Sequence, residues 1–195
     1  MFKQLLLILV LLPPVAVADS WAPPTPSAVV SDKATVIVRI DPGTTDPKGR
    51  SLKPAHCRFF RYVEASKTYE FWKEFNLVNG ILPLAVLVPN DGSYLATFDD
   101  YVGLGTTKNA VVIYDAEGRV RKRWSIEDIY SEKEIRELPH TASSIQWRGE
   151  VGTMIEHQQE IYISPPADFF KEDKKYKGFM LYVRSLRIRV DPRWK

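Results

Sequence analysis

The sequence predicts a mainly β protein of antiparallel four-stranded meanders. Each meander is blade-like in the manner of a β-propeller, the ring is incomplete, and there is one short helical insertion. Three observations predict it. The run Leu84–Asp115 alternates apolar segments with turn residues at the spacing of consecutive strands. Two turns, Asn90-Asp91-Gly92 and Asp115 to Gly118, carry residues that tolerate or readily adopt left-handed backbone, as tight hairpins require. Val120–Trp124 then brings Arg121, Lys122 and Arg123 into a strand, and a charged outer strand protects a sheet edge from pairing with strangers.

Within the central unit, Leu84–Val88 is apolar at every position and is expected to bury both faces. Tyr94–Phe98 returns as the second strand, where Ala96 and Thr97 leave room for a close neighbour. Ala110–Tyr114 is the third strand, apolar on both faces. Gly103 and Gly105 sit in the loop between the second and third strands and predict a close backbone approach or a mobile tip.

Upstream, Ala28–Val30, the Ser31–Lys33 turn and Thr35–Ile40 form a hairpin that echoes the central one. The offset of about 59 residues exceeds the ~40–50 of common blade repeats, and the likeness lies in turn placement rather than identity. Asp41–Lys53, with Pro42, Gly43, Pro47 and Gly49, is a loop by composition. Cys57–Val63 and Thr68–Phe75 make a second hairpin crowded with Phe59, Phe60, Tyr62, Tyr69, Phe71 and Trp72. Strand alternation reads these aromatics as core and cross-strand pairs. A carbohydrate-stacking platform is the alternative and needs some of them exposed.

Downstream, Ser125 with Asp128 and Ser131 with Glu134 each resemble an N-cap and its partner three residues on. A turn of helix and then a helix Glu132–Leu138 follow, stopped by Pro139. Ser143–Arg148 and Gly152–Ile163 are expected to pair as strands, Pro165–Lys177 to connect, and Phe179–Val190 to form a last strand with Arg187 and Arg189 on its wet face. The blade-like units thus span 28–75, 84–124 and 143–190, with the helical insertion at 125–138. This amounts to two blades and a three-strand remainder, fewer than the ~4 blades that close a ring. The chain must leave the ring open, wrap its sheets another way, or assemble with copies of itself as a homo-oligomer.

Of 195 residues, 45% are hydrophobic and 26% charged, a globular composition. Met1–Ala18 reads as a secretory signal peptide: Lys3, the apolar run Leu5–Leu12, and Ala16-Val17-Ala18 before a cut at Asp19. The apolar run is too short to span a bilayer, and no later segment reaches that length, so residues 19–195 are expected to form one secreted or periplasmic, non-membrane-spanning domain. The formal net charge of +3 falls to about +2 when Lys3 leaves with the leader, too little to imply a nucleic-acid partner. Cys57 is the sole cysteine and can form no internal disulfide; it reads as a small buried apolar side chain rather than a reactive thiol.

The ordered motifs DGSYLATFDDYVGLG, VVIYDAEGRV, SIEDIY and LPHTASSIQWRGE, spread over Leu84–Glu150, resemble a family of exported bacterial proteins of uncharacterised function. Members of that family carry a pattern like DGRYVVTFDNWHxxGYG, then VVVIYDxxGKL, an acidic segment and a Ser/Trp-rich strand. The resemblance implies a blade-like β fold and export, and brings no activity with it. Here Asp100-Tyr101 stands where that pattern has an Asn-Trp pair.

Local signatures of chemistry are sparse. The Gly103–Gly105 pair lacks the third glycine and the helix of a phosphate loop, there is no Gly-x-Ser-x-Gly elbow, and His56, His140 and His157 show no zinc spacing, so neither cofactor nor metal is expected. The leading functional expectation is a non-catalytic binding or assembly module whose partner is an envelope protein or glycan. Its candidate binding residues are Asp99, Asp100, Tyr101, Gly103 and Gly105 in the loop to Lys108, with Trp147 beside them. The alternatives are an envelope hydrolase or metal-dependent enzyme using Asp99, Asp100 and His140 or Glu156, and a basic surface of Lys171–Lys177, Arg184, Arg187, Arg189 and Arg193 docking on anionic envelope components.

Overall fold

The computed structural model describes residues 22–46, 51–153, 159–167 and 176–194. The leader Met1–Ala18, Glu156, His157 and the lysines at 171–175 lie outside the described residues.

The described residues form three four-stranded antiparallel sheets and one two-stranded ribbon. The first blade contains β1 (Ser27–Val30) and β2 (Val36–Asp41), then a two-stranded ribbon of β3 (Thr44–Thr45) and β4 (Ser51–Lys53), then β5 (His56–Val63) and β6 (Thr68–Asn76), in the order β1-β2-β5-β6. The second is a plain meander of β7 (Pro83–Leu87), β8 (Tyr94–Asp100), β9 (Val111–Asp115) and β10 (Val120–Trp124). A 3-10 turn (Ile126–Asp128) and α1 (Glu132–Glu137) follow, each opened by a capping box on Ser125 or Ser131. The third blade is β11 (Val151–Thr153), β12 (Glu160–Ile163), β13 (Phe179–Tyr182) and β14 (Arg187–Val190). A short 3-10 turn (Pro192–Trp194) ends the described chain.

Within every blade the strands are laid down in chain order from one edge to the other, and the chain then returns to start the next blade. The starting strands β7 and β11 lie against each other. This is the connectivity of propeller blades around an axis, and the described residues supply three of them where a ring needs at least about four.

The third blade corrects the expected remainder of three strands. Where one strand is expected from each of Gly152–Ile163 and Phe179–Val190, the structure has pairs: β11 with β12, Gly152 opposite Tyr162, and β13 with β14, Phe179 opposite Val190. The second reversal is made possible by Leu186, which takes φ of 53°. Ser143–Arg148, expected as a strand, is irregular instead because its amides are used elsewhere: Ile145 N–H donates to the Leu104 carbonyl at 2.9 Å and Gln146 N–H to that of Pro139 at 2.8 Å.

The second blade is the middle layer, and period-two alternation divides its side chains between two cores. Leu95, Val112 and Tyr114 join Val36, Val38, Ile40, Cys57 and Phe59 of the first blade. Tyr94, Ala96, Phe98, Val111 and Ile113 join Ile161, Ile163, Phe179 and Leu181 of the third, closed at one end by Trp124, Ile126, Tyr130 and Trp147. The β8–β9 register (Leu95 opposite Tyr114, Ala96 opposite Ile113) fixes this division, since a one-residue slip would exchange the two sets. Strand β7 corrects a second expectation: it lies at a sheet edge, and its side chains from Leu84 to Leu87 are half-buried rather than covered on both faces.

The hairpin turns of the second blade seat on aromatic side chains of β6. Gly92 has φ of 62°, and a Cβ there would lie 2.5 Å from the Trp72 ring. Gly118 has φ of 82°, and a Cβ there would lie 2.3 Å from Phe75.

Candidate functional site

The loop between β8 and β9 rests on two carboxyl groups at its base, Asp99 buried and Asp100 half-buried. Asp99 ends the fully covered part of β8 and is itself wholly buried. Its φ of 54° turns the strand so that the carboxyl group points into the molecule rather than along the loop. One oxygen accepts from the Trp147 indole N–H at 2.7 Å and the Gly105 amide at 3.0 Å. The other accepts from Arg148 Nε at 2.7 Å, an ion pair almost sealed from water. Arg148 also donates to the Gly149 carbonyl and lies over the Phe98 ring. Burial pushes the Asp99 carboxyl upward from the usual carboxylate range, while Arg148, Trp147 and the Gly105 amide all pull against that shift.

Asp100 is held by side-chain amides. Asn79 Nδ2 donates to one oxygen at 2.6 Å and Asn109 Nδ2 to the other at 2.8 Å. Asn79 is wholly buried and fully used: its amide also donates to the Asp99 carbonyl at 3.3 Å, and its oxygen accepts from Thr97 at 3.1 Å and Tyr114 at 3.2 Å. Sequence reasoning missed Asn79. The only trace it left was a polar residue beside Gly80, between two strands, with no spacing that ties it to Asp100.

Above this base the loop is tightly wound. Tyr101 N–H donates to the Leu82 carbonyl at 2.8 Å, Gly103 N–H to Asp100 at 2.9 Å, and Thr106 N–H to Gly103 at 3.0 Å. Gly105, at φ of 66°, backs onto the 145–147 segment, where a Cβ would meet the Ile145 carbonyl at 2.5 Å. The expected close backbone approach is therefore at Gly105. Val102 takes φ of 64° and remains 45% exposed. Left-handed backbone at a β-branched residue costs on the order of 1–3 kcal/mol and persists only where the surroundings impose it.

Beside the loop lies a polar cleft of about 410 Å3, lined by Thr106, Thr107 and Lys108 on one side and by Arg123, Ser125 and Glu127 on the other. Its walls carry hydroxyl groups and both signs of charge.

Of the residues singled out in the sequence, Asp99, Asp100, Tyr101, Gly103 and Gly105 do share one place, and Trp147 joins them. Their exposure is another matter. Trp147 and Asp99 are wholly buried, Gly103 and Gly105 are buried, and Tyr101 packs partly into the core between the first two blades. The expectation that Trp147 stands on the surface is corrected: its indole serves the Asp99 carboxylate, which costs less inside than leaving that charge unpaired. The loop surface is left to Val102 and to the cleft residues Thr106 to Lys108.

His140 is elsewhere engaged, its Nε2 donating to the Ile135 carbonyl at 3.0 Å. Among the described residues no three His, Cys, Asp or Glu side chains gather in a way that could hold a metal ion. Cys57 is buried and its thiol donates to the Phe75 carbonyl at 3.4 Å. The described basic residues near the carboxyl end are partly neutralised: Lys177 pairs with Glu134, and Arg193 pairs with Asp191 at 2.6 Å. No described helix is long and apolar enough to cross a membrane. No known protein family matches the chain, and no curated protein does.

Proposed function

We propose that this chain is a non-catalytic binding or assembly module of the bacterial envelope, exported and then freed of its leader, which offers the Val102–Lys108 loop and the adjoining cleft to an envelope protein or glycan. The observation that carries this reading is the strained, exposed Val102 on a loop braced from below by two carboxylates. Strain of this kind is retained where a surface must hold one shape, and a preorganised loop on a rigid sheet loses little freedom when it binds. The chemistry of the cleft agrees. Hydroxyls, one lysine, one arginine and the two carboxylates of Glu127 and Asp128 suit a polar partner rich in hydroxyl or amide groups.

The same geometry favours binding over turnover. Asp99 and Asp100 have every carboxylate oxygen occupied by donors from the protein itself, and Asp99 has no path to solvent. A general acid or base needs a free line to its substrate.

The experiment is photo-crosslinking in the native envelope from probes at Val102 and Lys108, with a third probe at Leu52, which is 70% exposed on the first blade. The expected result is one product shared by Val102 and Lys108 and absent from Leu52. Its yield should fall when Lys108→Glu is introduced beside the Val102 probe. Identical products from all three positions would overturn the proposal.

A further inference from the structure

A second cleft, of about 350 Å3, opens between the second and third blades. It lies at the end of the middle blade opposite the Val102–Lys108 loop, where the turns before β8 and before β10 come together. Buried Tyr94 and Val183 line it with four exposed residues, Ser93, Arg121, Gln159 and Arg184. Ser93 and Arg121 come from the second blade, Gln159 and Arg184 from the ends of β12 and β13 in the third. The Val183 N–H donates to the Gln159 carbonyl at 2.8 Å and ties the third-blade wall together.

Arg121 reaches this cleft because β10 is bulged. Val120 lies opposite Tyr114 and Lys122 opposite Ile113, so Arg121 is the extra residue and has no partner on β9. The bulge changes which face is which: Tyr114 belongs to the core shared with the first blade, Ile113 to the core shared with the third. Plain alternation would set Arg121 on the face opposite Lys122, toward the first blade. The bulge instead brings it to a cleft walled by Tyr94 and Val183 of the third-blade side, and re-aiming a side chain is a recurrent use of such bulges. Among the described residues neither Arg121 nor Arg184 has a carboxylate partner, and no Asp or Glu lines the cleft. Asp91, close by in sequence, turns one oxygen back to the Ser93 amide at 2.9 Å.

Two guanidinium groups on one cleft repel each other until an anion stands between them. A carboxylate has two oxygens and is satisfied by a single arginine fork. A phosphate monoester has three terminal oxygens, enough to engage both forks and the Ser93 hydroxyl together. A volume of about 350 Å3 is that of a site for a small organic ligand rather than a bare ion. The Gln159 amide, donor and acceptor at once, suits a hydroxyl group on the esterified alcohol. We infer that this cleft binds a phosphate monoester of a small polyol or sugar, free or carried on a lipid, with Arg121 and Arg184 clasping the phosphoryl group. The inference shares no residue with the cleft beside the Val102–Lys108 loop and stands without the function proposed for that loop.

Calorimetric titration of the full chain with glycerol 3-phosphate at fixed ionic strength tests it, with glycerate as the matching carboxylate. The variants are Arg121→Gln, Arg184→Gln and Lys122→Gln, with circular dichroism as the check on folding. Lys122 is the next residue on β10 and lines no part of the cleft, so its variant controls for the mere loss of a positive charge. The expected result is saturable binding that either arginine variant weakens by about tenfold or more and that Lys122→Gln leaves unchanged. Glycerate should bind about tenfold more weakly than the phosphate ester. An equal loss from Lys122→Gln overturns the inference, because diffuse surface charge would then hold the anion. Glycerate binding as tightly as the ester overturns it too. Phosphatidylcholine vesicles containing phosphatidic acid separate the two sources. Binding to those vesicles alone, lost in both arginine variants, supports a lipid-borne phosphoryl group, and binding to glycerol 3-phosphate alone supports a free one. Binding to neither overturns the inference. If Arg121→Gln disturbs the bulge and unfolds the chain, Arg184→Gln decides by itself: lost affinity supports the site, and retained affinity overturns it.

Discussion

Arg148 Nε sits 2.7 Å from the Asp99 carboxylate, and this ion pair fastens the end of the second blade to the segment that leads into the third. Both partners are almost without solvent, so neither can be removed without leaving the other's charge uncompensated. Arg148→Met is expected to cost about 3–5 kcal/mol of stability by denaturant titration. Adding Asp99→Asn should recover part of that loss, a coupling of roughly 0.5–3 kcal/mol. Strict additivity of the two changes would show that the pair is not a unit.

Gly92 and Gly118 make the second prediction. Left-handed backbone alone puts valine at a disadvantage of about 1–2 kcal/mol at each position. The Trp72 and Phe75 rings, directly in the path of a new Cβ, add to it. Gly92→Val should also shift the tryptophan emission spectrum, since the side chain it meets first is Trp72. Thermal melts of both variants that coincide with wild type would contradict the hairpin geometry.

Cys57 provides a test of burial. Desolvation pushes its thiol up to about 12, and the side chain is wholly covered. A thiol reagent at about pH 8 should therefore react only as fast as the first blade opens, and at the rate of a free thiol once denaturant is added. Fast native labelling would place Cys57 at a surface.

Glu134 sets part of the acid response. Lys177 first, then the Ser131 amide and hydroxyl, hold its carboxyl down at about 2 against an ordinary 4.5. A carboxyl held below its unfolded value stabilises the fold fully above about pH 4.5, and this contribution is lost as pH falls toward 2. Glu134→Gln should flatten the stability profile in that window and leave its shape above about pH 5 unchanged. Because Glu134 and Lys177 are partly exposed, added salt should weaken the effect. A profile that keeps its full slope between pH 4.5 and 2 would mean that another group governs it.

The strands of the first two blades were legible because their signals are local. Alternation in Val36–Ile40 and the all-apolar run Val111–Tyr114 record which faces are covered, and Asn90 to Gly92 and Asp115 to Gly118 mark the reversals between them. The capping pairs at Ser125 and Ser131 were equally local and gave both helical turns. What remained hidden depends on distance along the chain. Asp99 looks like half of an acidic turn until Trp147 and Arg148, almost fifty residues later, arrive to consume its lone pairs. Ser143–Arg148 reads as a strand because its side chains alternate, yet its amides belong to Leu104 and Pro139. The exposure of Phe71 was undecided for the same reason: only the bulge between Phe59 and Phe60, where β5 meets β6, settles which face it takes.

The inner strands of the middle blade have no face of their own toward water, and that determines how the molecule can come apart. Strands β8 and β9 contribute side chains to both cores, so neither flanking blade can peel away without wetting one side of the sheet they share. Their amides should be the last to exchange with deuterium, while those of β1 and β14 exchange early by local fraying. A chain that reached its compartment unfolded would thus gain little from completing its first blade alone. Lasting order would wait until residues through Asp115 had emerged, and a protease meeting the chain before that moment would find every strand still open to cleavage.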